Sequence, residues 1–141
     1  MPLTNAQRSA CYITAGAIGG LAVTLAFWAL GKLGVPHLIG VRGPESALEA
    51  PIIYRNMVWG GLWGLLFLLP MSPVPLWRKA LLFTLAPVLV ALVVFVPLRG
   101  GSLFGLDRGY LTPLWVYVVN LAWGFTTAYL GQAVIGPEAE G

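Results

Sequence analysis

Residues 80–98 read ALLFTLAPVLVALVVFVPL, a run of 19 residues without a charged side chain. The hydrocarbon core of a bilayer is about 30 Å thick, and a helix needs roughly 20 mostly apolar residues to cross it. The run therefore predicts a transmembrane helix. Its apolar residues are continuous, whereas strands of a membrane barrel alternate apolar and polar residues.

Three further apolar runs have similar lengths. They cover residues 11–31, 52–69 and 113–135. Pro70 closes the second run, and Thr112-Pro113 has the N-cap and first-turn proline that commonly open a helix. Together the four runs predict an all-α polytopic membrane protein with four transmembrane helices, folded as a single membrane domain over residues 1–141.

The composition of the 141 residues supports this class of protein. Hydrophobic residues make up 58% of the chain and charged residues 9%, and the mean hydropathy is +0.83. A soluble domain carries roughly 25% charged residues, so soluble globular and disordered classes are excluded. The eight lysines and arginines are scattered, and binding of nucleic acid requires a basic cluster. One cysteine and one histidine cannot form a zinc cluster, and no metal or cofactor is predicted.

A short pattern occurs twice along the chain. NMVWG at residues 56–60 returns as NLAWG at residues 120–124, and Val35-Pro36 returns as Val96-Pro97. The spacing predicts two tandem helical hairpins, about residues 9–70 and 76–135. Two helices per unit give both units the same orientation, which is the parallel kind of repeat. Coincidence is the alternative explanation.

Each copy of the pattern places Asn, Trp and Gly on one helix face, because residues three and four apart are neighbours. An asparagine amide in hydrocarbon requires hydrogen-bond partners. One interpretation is a packing device, in which Asn56 and Asn120 bond to each other. The other is a polar site for a solute or ion, with Trp59 and Trp123 beside it. Trp63 and these two indoles either line a pocket for a pigment, quinone or lipid tail or simply pack.

Small residues and one proline predict how the helices meet. GxxxG pairs occur in the first two predicted helices and permit close crossing, so these helices are expected to pack together. A homodimer face is the alternative. Proline inside the third helix removes a backbone hydrogen bond and predicts a kink. The residues concerned are Gly16, Gly20, Gly60, Gly64, Gly124 and Pro87.

Charged residues concentrate in the loops. Arg55 lies near the start of the second helix and either snorkels to the interface or pairs with Glu49, Asp107 or an anion of a lipid or ligand. Arg42, Glu49, Asp107 and Arg108 form a predicted loop charge cluster, either an ion-pair network or a solvated rim. A short interfacial helix is expected over residues 44–49.

The loop cations also bear on orientation. The terminal side of a four-helix arrangement carries three cations, and the opposite side carries five: Lys32, Arg42, Arg55, Arg99 and Arg108. This count favours termini outside the cytoplasm. The adjacent Arg78 and Lys79 lie directly against a predicted helix and favour the reverse. We expect cytoplasmic termini, in an inner membrane of the bacterial type.

The chain contains no nucleophile–histidine–acid set and no pair of carboxylates within its apolar runs, so an enzyme is not expected. The sequence predicts an accessory or assembly subunit of a membrane complex. The alternative is a small transporter or channel that acts as a homo-oligomer, with a polar site around Asn56 and Asn120. Expected partners are membrane lipids and either other membrane protein subunits or further copies of the chain.

Overall fold

The computed structural model describes residues 2–42, 47–71 and 73–136. Within these ranges the chain is all-helical and contains no strand. Residues 44–46 of the expected interfacial helix lie outside the described residues, and residues 47–49 are not helical.

The described chain contains six α-helices joined by tighter and wider turns. In order, these are α1 (Asn5–Lys32), α2 (Val35–Leu38), α3 (Ala50–Gly64), α4 (Leu76–Val90), α5 (Val96–Leu98) and α6 (Thr112–Ile135). A 3₁₀ turn, Leu65–Leu68, continues α3, and another covers Leu103–Arg108. A π-turn, Ala91–Phe95, joins α4 to α5, so Leu76–Leu98 forms one helical segment.

The helix starts follow from local sequence. The Thr4 hydroxyl accepts a hydrogen bond from the Gln7 backbone at 3.2 Å, while the Gln7 side chain accepts one from the Thr4 backbone at 2.9 Å. This capping box begins α1 six residues before the predicted apolar run. Both α3 and α6 have a proline in the first turn. Proline is well tolerated there, because the backbone N–H that it lacks would have no partner within the helix.

Two helices are long and apolar enough to cross a membrane, namely α1 and the segment Leu76–Leu98. The sequence predicts four transmembrane helices, and this test supports two of them. The α-helical part of α3 has 15 residues, and α6 carries Asn120 and Gln132 along its 24 residues. The α-helical part of α3 is too short to count as a membrane-crossing helix by itself, and α6 is long enough but too polar.

The long segments pack in the order α3, α1, α6, α4 around a bundle, which we call the four-helix bundle. α1 packs against both α3 and α6, and α6 packs against α4. By contrast, α3 and α4 scarcely touch. An aromatic cluster fills one end of the bundle, where Phe67 stacks on Tyr12 and meets Phe83 and Trp123 edge to face.

The GxxxG residues lie at the contact between α1 and α3. A Cβ atom on Gly16 would collide with the carbonyl group of Gly60, and one on Gly20 with the carbonyl group of Asn56. Gly64 abuts the backbone of Tyr12 in the same way. These glycines therefore join two helices of one chain, and the α3 backbone occupies the face that a second copy would need.

Lys79 points into the bundle rather than out to a membrane surface. The side chain is 6% exposed, and its Nζ donates to the Phe67 carbonyl oxygen at 2.9 Å. The ammonium group also lies 5.9 Å and 5.7 Å from the ring centroids of Phe67 and Phe83. Lys79 therefore stabilises the end of the 3₁₀ turn, a structural role that weakens its use as an orientation signal.

Candidate functional site

A cavity of about 260 Å³ lies inside the four-helix bundle, and all four long segments line it. We call it the central cavity. Pro87, Ala91 and Phe95 form part of its wall. The helix stays α-helical through Pro87 to Val90, and the π-turn begins four residues after the proline, with Ala91 and Phe95 on the cavity wall. Single π-turns within α-helices frequently occur at functional sites.

Both asparagines of the repeated pattern line the central cavity. The Asn56 amide donates to the Thr24 hydroxyl at 2.9 Å, and Asn120 donates to the Val116 carbonyl oxygen of its own helix at 2.7 Å. No hydrogen bond joins the two asparagines within the described residues. In the same part of the chain, neither amide oxygen accepts a hydrogen bond, while both amide nitrogens donate one.

The two tryptophans of the pattern have different surroundings. Trp123 is 3% exposed and its indole nitrogen donates to the Gly60 carbonyl oxygen at 3.1 Å. Trp59 is 45% exposed and meets Phe95 edge to face, with ring centroids 5.8 Å apart. Trp59 and Phe95 therefore bridge the gap between α3 and the π-turn. Trp63 also lines the cavity.

The glycines of the two patterns occupy corresponding places. Gly60 packs on α1, the first long helix of its predicted hairpin, and Gly124 packs on α4, the first helix of the other. Gly124 lies against Thr84 and Ala80. A duplicated hairpin would produce this correspondence, and the repeat stays a prediction.

A second cavity of about 490 Å³ opens at the end of the bundle where α1 ends and α3 and α6 begin. We call it the basic cavity, because Arg42, Arg55, Arg99 and Arg108 line it together with His37. The backbone N–H of Arg42 donates to the Arg108 carbonyl oxygen at 2.7 Å, which holds the two loops side by side. The structure thus brings Arg55 and two members of the loop charge cluster to one place.

The acidic members of the cluster lie apart from the cavity lining. Asp107 accepts hydrogen bonds from the Ser102 hydroxyl at 2.8 Å and from the Ser102 backbone at 3.2 Å. The bond from the Ser102 side chain, above all, lowers the pKa of Asp107 below its ordinary value. Glu49 is exposed at the start of α3 and caps no backbone N–H with its side chain. Over the described ranges, neither carboxylate forms an ion pair with the four arginines.

The two cavities adjoin each other. Phe27, Arg55, Asn56 and Arg99 line both of them. Arg55 was expected from the sequence to snorkel or to meet an anion, and it stands where the cavities meet. From the sequence, Arg99 is one of five loop cations, and its position after the third apolar run does not indicate that it lines the same two cavities as Arg55.

Thr112 and His37 are site residues that sequence reasoning missed. Thr112 is 4% exposed and lines the basic cavity, and its hydroxyl has no hydrogen-bond partner in the part of the chain that the structure describes. The sequence predicts Thr112 as the N-cap of α6, but the N-cap is Leu111 and no side chain of the described residues caps this helix. His37 follows Pro36 in the short helix α2, and only the folding of that loop over the bundle brings it to the cavity.

The arrangement can bind a molecule through amide oxygens, indole rings and guanidinium groups. Among the described residues, no group of three His, Cys, Asp or Glu side chains could hold a metal ion. No protein-family model, curated protein or solved structure matches this chain.

Proposed function

We propose that this chain is an integral membrane protein that crosses the bilayer four times and binds a small solute inside its helical bundle, acting as a small transporter or channel. The central cavity carries the proposal, because all four long segments line it and so do two asparagines whose amide oxygens accept no hydrogen bond among the described residues. Ligand sites between the helices of a bundle commonly have this form.

Helix lengths support four crossings. The segment Ala50–Leu68 combines 15 α-helical residues with a 3₁₀ turn of four, and rises of 1.5 and 2.0 Å per residue give it about 30 Å. The 24 residues of α6 extend about 36 Å. Both lengths match a hydrocarbon core of about 30 Å. Val58 and Leu62 on α3 and Leu114 and Val118 on α6 are exposed, as residues facing lipid would be.

A solute site accounts for the cavity better than a packing role does. An accessory subunit needs close helix contacts and outward faces for its partner, but it needs no polar cavity between its own helices. Here α3 and α4 scarcely touch, and the π-turn widens the helix facing the cavity. Irregular backbone within a membrane is tolerated where it is buried in protein or lines an aqueous cavity.

Thiol labelling in proteoliposomes tests this function. Cys11 is the chain's one cysteine, so Cys11→Ser provides a background for Asn120→Cys in the central cavity. Val118→Cys, on the exposed face of the same helix, is the matched control. A membrane-impermeant methanethiosulfonate reagent is added from the outside or trapped inside.

A transport pathway predicts that the reagent reaches Asn120→Cys from both faces and Val118→Cys from neither. Labelling from one face only, or from neither face, would overturn the transporter or channel proposal. Native mass spectrometry of the chain in nanodiscs, extracted from cells, provides a second test. A stoichiometric companion protein would favour the accessory subunit instead.

A further inference from the structure

The basic cavity gathers four of the chain's six arginines from four separate segments. Arg42 follows α2, Arg55 belongs to α3, Arg99 follows α5, and Arg108 ends a 3₁₀ turn. Their proximity is a product of the fold, since no two are neighbours in sequence. Like charges around one cavity repel each other, and a cavity lined by one sign of charge concentrates counter-ions.

Within the described residues none of these arginines forms an ion pair, although the charge of Arg108 helps to lower the pKa of Asp107. No Asp or Glu is among the described residues lining the basic cavity. Asp107 is committed to Ser102, and Glu49 is exposed at the start of α3. Arginine presents a planar fork of donors that suits carboxylate and phosphate oxygens. An anion would relieve the repulsion and take up these donors.

Thr112 gives a second, independent indication of a ligand. Its side chain is buried and lines the same cavity, and its hydroxyl lacks a partner among the described residues. A buried polar group without a hydrogen-bond partner is unfavourable. Thr112 is the first residue of α6, a helix of 24 residues. The N-terminus of a helix favours negative charge nearby.

The adjoining central cavity indicates what else the ligand contains. Arg55 and Arg99 line both cavities, and beyond them lie Trp59, Trp123 and Phe95. A dry cavity of about 150 Å³ holds one benzene molecule, so about 260 Å³ is enough for a substituted ring or a short branched chain. A molecule with its anionic group among the arginines can therefore place an apolar body between the helices.

Building on the proposed function, we propose that the two cavities together bind a small amphiphilic anion, a carboxylate or a phosphate monoester. The arginines of the basic cavity hold its charged group, and the aromatic wall of the central cavity holds its apolar body. Arg55 and Arg99 lie at the junction and contact both parts. The charged group belongs either to a free organic anion or to a lipid, and both supply the same oxygen atoms.

The test measures quenching of intrinsic tryptophan fluorescence by ligands added to the full chain in phosphatidylcholine nanodiscs. Phenyl phosphate and benzoate are the probes, and inorganic phosphate and benzyl alcohol each lack one half of the proposed chemistry. We expect both probes to bind at least about tenfold more tightly than either control. Benzyl alcohol loses the charged hydrogen-bond partners, and inorganic phosphate loses the apolar ring that the central cavity would bury. Equal binding of inorganic phosphate and phenyl phosphate would overturn the amphiphilic ligand.

Arg55→Gln and Arg99→Gln are each expected to weaken binding of both probes by about tenfold or more. Arg78→Gln is the matched control, because Arg78 is exposed and stacks on Trp77 outside both cavities. Circular dichroism confirms that each variant is folded. If Arg99→Gln and Arg78→Gln bind the probes equally well, the arginines do not hold the ligand.

Replacing a fraction of the phosphatidylcholine by phosphatidic acid, whose head group is a phosphate monoester, distinguishes the source of the anion. Competition with benzoate, together with lipid retained in native mass spectra, identifies a lipid head group as the occupant, whereas unchanged benzoate binding identifies a free anion. Failure of all probes to bind overturns this inference alone, provided that Asn120→Cys is still labelled from both faces. Loss of that labelling overturns the proposed function as well.

Discussion

The indole nitrogen of Trp123 donates a hydrogen bond to the carbonyl oxygen of Gly60 at 3.1 Å. The bond joins the two Asn-x-x-Trp-Gly patterns, because Trp123 belongs to the second and Gly60 to the first. It is not reciprocated, since Trp59 turns towards Phe95 instead. α6 is thus tied to α3 at the wall of the central cavity, while α3 and α4 remain apart.

We predict that Trp123→Phe lowers the free energy of unfolding by about 1–3 kcal/mol. The variant loses one buried hydrogen bond, worth about 1 kcal/mol, and part of a ring that packs against Phe67. Unfolding of the purified chain in mixed micelles measures the change. Trp77→Phe, at a position 46% exposed, is the control and should lie within about 0.5 kcal/mol of the wild type. Equal effects at the two positions would contradict a structural role for the bond.

Gly16→Ala is expected to destabilise the fold, because its methyl group would meet the carbonyl of Gly60 across the contact between α1 and α3. Overpacking of this kind typically costs about 1–3 kcal/mol. Gly31→Ala is a matched control on the same helix, where nothing lies within 4 Å of an added Cβ atom. Alanine exceeds glycine in helix propensity by about 1 kcal/mol, so the control should be neutral or stabilising. Thermal unfolding in one detergent compares the pair, and a stable Gly16→Ala would argue against this contact.

Lys79→Met tests whether the buried ammonium group is structural. Methionine keeps much of the apolar stem but leaves the Phe67 carbonyl oxygen without the bond that Nζ donates at 2.9 Å. We expect a loss of about 1–3 kcal/mol in the free energy of unfolding. Arg78→Met changes the exposed neighbour and should have little effect. Comparable stability of the two variants would show that Lys79 does not hold the end of the 3₁₀ turn.

The sequence predicted the positions of the long helices well, because uncharged runs and first-turn prolines mark them directly. The fourth run was expected over 113–135, and α6 covers Thr112–Ile135. The first helix begins earlier than expected, at Asn5. The capping box formed by Thr4 and Gln7 was visible in the sequence and gives the reason.

The central cavity could not be predicted from the sequence. It depends on how tightly neighbouring helices approach, and the gap between α3 and α4 follows from packing that no residue pattern encodes. The same holds for the basic cavity, since Arg42 and Arg108 come together only when two loops pair through their backbones. The periodicity of a sequence indicates which residues share one face of a helix. Both cavities, however, are formed between different helices and loops.

Labelling of engineered cysteines from each side of the membrane tests the proposed four crossings. In the Cys11→Ser background, Leu38→Cys and Tyr110→Cys occupy exposed positions in the loops beside the basic cavity, and Val74→Cys lies between α3 and α4. Four crossings place Leu38 and Tyr110 on one face and Val74 on the other. With cytoplasmic termini, the Val74 position faces the cytoplasm.

The alternative has only α1 and the segment Leu76–Leu98 in the bilayer, the two helices that are long and apolar enough to cross it. That arrangement puts Leu38 and Val74 on the same face and Tyr110 on the opposite face. An impermeant maleimide applied to right-side-out and inverted vesicles separates the two patterns, and Val118→Cys serves as the position that neither treatment should reach. We expect the first pattern, because α3 with its 3₁₀ turn and α6 both match the bilayer thickness and carry apolar side chains outward. Labelling in the second pattern would remove α3 and α6 from the membrane and, with them, the intramembrane position of the central cavity.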